Sequence, residues 1–407
     1  MKLATLSIVL GLFSRCLAED WTQFRGPDGQ GHSNVKKLPL KWSDNSDNLT
    51  WKARIDGLGW SSPVVSNNQI WLTTATDQGR SLRAVCLDAK TGRELHNVQV
   101  FRKDAAGRIH RKNSHASPTP ILDGDRVYIH FGTYGTACLS TDGKVLWRQT
   151  IRYNHVHGPG GFPELVDGLL IINCDGGNKQ TVVGLDKDTG KIRWQTPRVP
   201  NTYGKKFAFS TPLAIDVNGR QQVVSPGASG VTSYQPKTGK SIWHVTYTGG
   251  YSVVPRPVYG HGLVFLSTGF DRPTVLAIRT NGMGDVTNTH VAWKLERGAP
   301  HSPSPLLIGD ELYLISDRGI ATCLEAKSGK VLWQERIGGN FSASPLYAAG
   351  RIHLLDENGA TTIIEPGKTY TQLAKNEITG RTLASLVPIE GALLLRTDTQ
   401  LYRIEAE

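Results

Sequence analysis

One pattern returns eight times along this 407-residue chain, at intervals of about 40–55 residues, and a period in that range is the mark of a repeat architecture. Each copy opens on a Ser-Pro-like pair, runs into a hydrophobic strand after a short turn, and reaches an Asp/Glu-rich turn with Thr-Gly-Lys and then Trp. The pairs are Ser62-Pro63, Ser117-Pro118, Phe162-Pro163, Thr211-Pro212, Arg256-Pro257, Ser304-Pro305, Ser344-Pro345 and Ser385-Leu386. The third copy closes with Leu185-Asp186-Lys187-Asp188-Thr189-Gly190-Lys191-Ile192-Arg193-Trp194. The fifth copy, from Arg256-Pro257 onward, carries an insertion around Asn281 to Thr289 before Trp293.

Such a period accommodates four strands of five or six residues with their turns, which is one propeller blade. The expected fold is therefore an all-β, eight-bladed β-propeller of four-stranded antiparallel blades. Local chemistry agrees. Arg126 to Phe131 and Gln69 to Thr74 are β-branched and aromatic, bounded by Asp-Gly, Asn-Asn or Gly-Asp turns. No long stretch carries a 3.6-residue period. In the Thr-Gly-Lys step, glycine suits a positive φ and the preceding Asp can hold local amides.

The last copy lacks its Trp, while an orphan strand, Leu49 to Ile55, precedes the first. One explanation covers both: the N-terminal strand forms the outer edge of the last blade and closes the ring, leaving no open ends. Trp51, Trp147, Trp194, Trp243, Trp293 and Trp333 then share one repeat position and are expected to dock each blade on its neighbour. Cys86, Cys138 and Cys323 share another, where small buried apolar residues are expected rather than disulfides. With Cys174 they form no CxxC pair, which speaks against a zinc site.

The first residues read as an export signal: Lys2, then an apolar run from Leu3 to Phe13, then Cys16-Leu17-Ala18 with cleavage expected after Ala18. The run is too short to span a bilayer. The division is a signal peptide over 1–18 and a single propeller domain over 19–407, periplasmic or secreted. Lipidation at Cys16 would need a small residue where Arg15 stands. The formal charge is +11 and stays strongly basic without Lys2 and Arg15. That suits an acidic partner such as a cell-envelope polymer. No run of five basic residues occurs, which speaks against nucleic acid.

The repeats resemble the PQQ-type propeller repeat, whose hallmark is Asp-x-x-Thr-Gly-Lys-x-x-Trp; Asp186, Thr189, Gly190, Lys191 and Trp194 match it throughout. The opening Trp21-Thr-Gln-Phe-Arg-Gly-Pro-Asp-Gly29 resembles a leader of secreted proteins of this class. The resemblance implies one of two activities. Quinoprotein dehydrogenases bind PQQ and Ca²⁺ on the propeller axis. The outer-membrane assembly factor BamB and its relatives bind protein partners and do no chemistry. The dehydrogenases are usually longer, and many clamp PQQ with adjacent cysteines, which this chain lacks. Of their Ca²⁺ ligands and Asp base beside an Arg, Asp271-Arg272-Pro273 offers only the last. The BamB-like reading is therefore preferred, with no cofactor, a protein or envelope-polymer partner, and a chain that is monomeric or part of a complex.

The loops leading into the innermost strands should gather at one mouth of the channel. They carry Trp60, His115, His157, Tyr203, Tyr251, Arg256, His301 and Phe341 as candidate ligand-binding residues, with Asn113, His155, Lys205, Lys206 and Asn340 nearby. Aromatic rings with a few polar donors suit peptide or glycan recognition, and Lys205, Lys206 and Arg256 suit an anionic group. His155 and His157 would face one side of a strand, but no third metal ligand is evident. No catalytic residues are assigned. A carbohydrate-binding or hydrolytic propeller is a further alternative, and it needs a carboxylate pair that the mouth loops scarcely offer.

Overall fold

The computed structural model describes residues 20–200 and 204–406. The segment read as an export signal, including Cys16, and Tyr203 fall outside them. Eight sheets follow one another along the chain, over residues 64–102, 121–149, 164–197, 213–246, 258–295, 306–336, 346–377 and 387–405. They are taken here as blades one to eight. Each is an antiparallel meander whose first strand lies innermost, four-stranded within its own segment except in blade eight, which supplies three strands, and widened in blade four by a short fifth strand. Among the described residues the only helical pieces are two short 3₁₀ turns, Asp77–Gly79 and Gly132–Tyr134, and no helix is long and apolar enough to cross a membrane.

Leu49–Arg54 lies antiparallel on Gln400–Glu405, with Trp51 opposite Arg403, and completes blade eight. The ring is thus sealed by backbone hydrogen bonds between the two ends of the domain. Middle strands are buried on both faces and read as apolar runs, as in Leu169–Asp175. Outer strands alternate, as in Leu49–Arg54. The core is correspondingly divided into clusters, each shared by adjacent blades; Val64, Trp71, Val127 and Ile129, for example, join blades one and two.

The repeat turn explains itself in this packing. Asp186 Oδ1 accepts from Thr189 N at 2.9 Å and Thr189 Oγ1 at 2.7 Å. Gly190 takes φ +70°, and a Cβ there would lie 2.5 Å from the Trp147 ring of the preceding blade. Glycine is therefore required twice over, for its backbone angle and for the neighbour's indole. Trp147 Nε1 donates to Lys187 O at 3.0 Å, Trp194 to Pro236 O at 2.8 Å, and Trp293 and Trp333 to Ala326 O and Gly367 O at 2.9 Å. The Trp51 ring lies on Gly92 of blade one, as the Trp147 ring lies on Gly190. Trp243 differs. Blade five has no Thr-Gly-Lys turn; its insertion instead adds Gly284–Asp285 in parallel to the outer strand of blade four. Trp243 is sealed beneath it and turns its N–H to Gln222 of its own blade, at 3.0 Å. Cys86, Cys138, Cys174 and Cys323 are all buried and unbridged.

The Ser-Pro pairs build a belt around the axis. Ser385 N donates to Ser62 Oγ, Ser62 N to Thr119 Oγ1, Ser304 N to Ser344 Oγ and Ser344 N to Ser385 Oγ, at 2.9–3.1 Å. Phe162 N and Arg256 N donate likewise to Thr211 Oγ1 and Ser304 Oγ. Thr119-Pro120, directly before the strand Ile121–Asp123, is thereby the pair of blade two. The expected pair, Ser117-Pro118, lies two residues too early, because both Ser-Pro and Thr-Pro stand there and only backbone pairing tells them apart.

Candidate functional site

Above the belt the loops leading into the innermost strands enclose a cup of about 810 Å³, and every blade contributes to its wall. Ser62, Ser304, Ser344 and Ser385 of the belt form its lower rim. Phe162, Phe209, Val254 and Phe270 supply an apolar side from blades three to five. Arg111, Lys112, Arg318 and Asn340 supply a polar one.

The leader forms the floor. Trp21 exchanges backbone hydrogen bonds with Val65 at 2.8 and 2.9 Å, and Thr22 O accepts from Leu122 N. Phe24 packs on Phe162, ring centres 4.5 Å apart, and lines the cup from below. Further on, Gln30 Oε1 accepts from Tyr259 N, and Gly31 and Ser33 bond Tyr347. The segment thus crosses the axis and satisfies the inward edges of five blades, which an empty channel would leave unpaired. Arg25 donates to Pro305 O at 2.7 Å and is buried; burial and then the nearby Arg256 bring its guanidinium down to about 9. Gly29 passes so close to the Arg256 guanidinium that no side chain fits between them.

Of the candidate residues, Trp60, His157 and His301 line the cup. His115, Tyr251 and Phe341 are buried behind its wall. His115 lies under Gly79 and beside Tyr134; Phe341 sits in the core between blades six and seven. Tyr251 joins Phe207 and Phe270, ring centres 5.4 and 5.6 Å away, and takes Lys205 Nζ on its hydroxyl at 2.9 Å. Arg256 corrects the expectation of an anion receptor. It is fully buried, ion-paired with Glu164, and bonded to Phe24 O at 2.7 Å. The repeat position alone did not show that its side chain points down to the leader.

His155 and His157 also part company, since residues 151–163 form no strand. His155 packs between Tyr134 and Tyr153, and burial, then His115 and Lys103, lower it to about 4. His157 meets His110 and Phe207, ring centres 5.3 and 5.0 Å away; burial and then His110 lower it too. Asp271 and Arg272 lie exposed in a turn of blade five, where only Pro273 reaches the cup.

Residues 103–114, the extra length before blade two, form a strap over the mouth. At one end His110 N and Asn113 Nδ2 donate to His157 O at 3.1 and 2.9 Å. At the other, Lys112 pairs with Glu357 of blade seven at 2.7 Å, and Arg381 of the loop before blade eight donates to Arg111 O at 2.9 Å. The Arg381 guanidinium lies over Trp60, 5.4 Å from its ring centre. These strap and leader residues escaped the sequence reading. Two signals pointed to them: the longest interval between repeats, and Phe162 and Arg256 standing where the belt otherwise carries a hydroxyl.

A Ca²⁺–quinone pair needs six to eight oxygen ligands at its metal. The carboxylates here are engaged: Asp317 accepts from His301 N at 2.6 Å, Glu357 is held by Lys112 and Ser342, and Glu164 by Arg256 and Ala214 N. Among the described residues no group of three His, Cys, Asp or Glu is placed to hold a metal ion.

Eight antiparallel blades, several bearing a Thr-Gly-Lys-type turn whose full form is Asp186 to Lys191, define a propeller of PQQ-type repeats. The family model described as outer membrane protein assembly factor BamB matches residues 39–158, 112–335 and 285–373, and the chain belongs to that family. No curated protein matches it in sequence. Among solved structures it is similar to BamB from Moraxella catarrhalis, at 15% identity over 87% of this chain and 99% of that one, TM-score 0.61. It is also similar to the quinohemoprotein alcohol dehydrogenase ADHIIG from Pseudomonas putida HK5, at 12% identity over 96% and 81%, TM-score 0.65. A europium-containing methanol dehydrogenase gives 11% identity over 94% and 89%, TM-score 0.66. At these identities the likeness is one of fold.

Proposed function

We propose that this protein is a periplasmic or secreted binding propeller that receives a partner in its axial cup and carries out no chemistry there. The observation that carries the reading is the make-up of the cup. It is a concave, floored cavity with an aromatic side and a polar side, of a size suited to a ligand or a short chain segment. Its carboxylates are tied into structural bonds rather than arranged around a reacting centre. Family membership supports a role in holding protein partners, and the apolar run Leu3 to Phe13 supports export.

The test is site-specific photo-crosslinking in envelope extract. A crosslinking residue replaces Val254, which is 39% exposed on the cup wall, or Met283, which is 84% exposed on the outer insertion. A product formed from position 254 and absent from position 283 is expected. The same products from both positions, or none from 254, would remove the cup as the binding site.

A further inference from the structure

Resting on that binding reading, we propose that the cup takes an acidic segment of a partner polypeptide that carries an aromatic side chain. The two sides of the cup differ in chemistry. Blades three to five present Phe162, Phe209, Val254 and Phe270, and Phe270 is 52% exposed although it is a large apolar residue. Across the mouth, the strap and blade six present Arg111, Lys112 and Arg318, with Arg381 behind them on Trp60.

The cationic side carries an excess. Lys112 is neutralised by Glu357, but Arg111, Arg318 and Arg381 form no ion pair among the described residues. The acid next to Arg318, Asp317, is turned to the His301 amide. Guanidinium groups held at a cavity edge match carboxylates in both charge and planar geometry. With the whole chain at +11, an acidic partner is also steered toward it.

The apolar side favours a peptide over a polyanionic glycan. A sugar ring stacks on a flat, open aromatic face. Here Tyr251 meets Phe270 at 69°, Phe270 meets His301 at 68° and Phe24 meets Phe162 at 42°. Rings set edge to face or tilted around a hollow make a socket for an inserted side chain. A cavity of about 810 Å³ holds a few extended residues and excludes a folded domain.

Fluorescence anisotropy on the purified full chain tests this with four probes. They are a fluorescein-labelled peptide Gly-Asp-Glu-Phe-Asp-Glu-Gly, the same peptide with Lys for every acid, the same with Ser for Phe, and a labelled oligogalacturonate. The first is expected to bind at least about tenfold more tightly than each of the others. R111A/R318A is expected to weaken it at least about tenfold and to flatten its salt dependence, and F270S to weaken it about fivefold. All three side chains are exposed, and an unchanged melting temperature confirms that the variants fold. Equal binding of the lysine peptide, equal or tighter binding of the oligogalacturonate, or indifference to both variants would overturn the proposal. Crosslinking from position 254 without peptide binding would leave the cup as a binding site with a different ligand; failure of both experiments would remove the site as well.

Discussion

Lys112, in the loop before blade two, reaches across the mouth of the cup to Glu357 of blade seven and holds it at 2.7 Å. Ser342 donates to the same carboxylate oxygen, so Glu357 is fixed before the lysine arrives. The pair is partly open to solvent, and such pairs contribute less than about 1 kcal/mol to global stability. Its consequence is local. Glu357→Gln is expected to leave the melting temperature within about 2 °C while amide exchange across residues 103–112 rises several-fold. Unchanged exchange there would mean that the contacts at His157 and Arg381 hold the strap without the ion pair.

A second pair acts globally. Arg198 forks onto Asp175, with Nε and Nη2 at 2.6 and 2.7 Å from the two carboxylate oxygens, and also binds Ser225 O at 2.9 Å. Both side chains are nearly inaccessible, at the junction of blades three and four. Asp175→Ala leaves a buried guanidinium uncompensated and is expected to cost about 3–5 kcal/mol in chemical unfolding. A loss below about 1 kcal/mol would show that water reaches the arginine.

The repeat glycine offers a paired comparison. Gly190 and Gly168 both have positive φ, at +70° and +74°, but only Gly190 faces a neighbouring indole. Gly168→Ala is expected to cost about 1 kcal/mol from backbone strain alone, and Gly190→Ala at least about 2 kcal/mol more because Trp147 must move. Equal losses in urea unfolding would refute the docking role of the turn.

Acid should loosen the ring through buried histidines. Burial, then Arg351, lowers His353 to about 4. The unfolded chain takes up this proton near pH 6.5, so between those values the unfolded state binds more protons and stability falls as pH falls. The contribution is up to about 3 kcal/mol, complete above pH 6.5 and lost toward pH 4. His353→Gln is expected to make the stability profile shallower in that window. A profile of unchanged slope would assign the acid sensitivity elsewhere.

The ring was legible because its determinants are periodic. Asp186, Gly190 and Trp194 recur at fixed offsets, so one copy interprets the others, and the missing Trp of the last copy announced Leu49–Arg54 as its outer strand. The cup was legible only as a location. Trp60, His157 and His301 were placed on it, but a repeat position gives the loop and not the direction of its side chain. Arg256 therefore looked like a receptor, although it turns away to Glu164 and the leader. The leader itself follows no period, and its Gly-Pro-Asp-Gly sequence reads as a turn until Gly29 is seen against Arg256. Where the repeat breaks, at Phe162 and Arg256 in the belt, the sequence did mark the residues that anchor it.

The leader's course also imposes an order on assembly. Trp21 bonds blade one, Gly31 bonds blade seven, and Leu49–Arg54 bonds strand Gln400–Glu405. Residues made first must therefore wait for those made last, and loop-closure entropy makes such distant pairings slow to form. Until Gln400–Glu405 is in place, the chain carries an unoccupied hub and two raw sheet edges that invite pairing with other molecules. The threading therefore keeps those edges open until both termini have met.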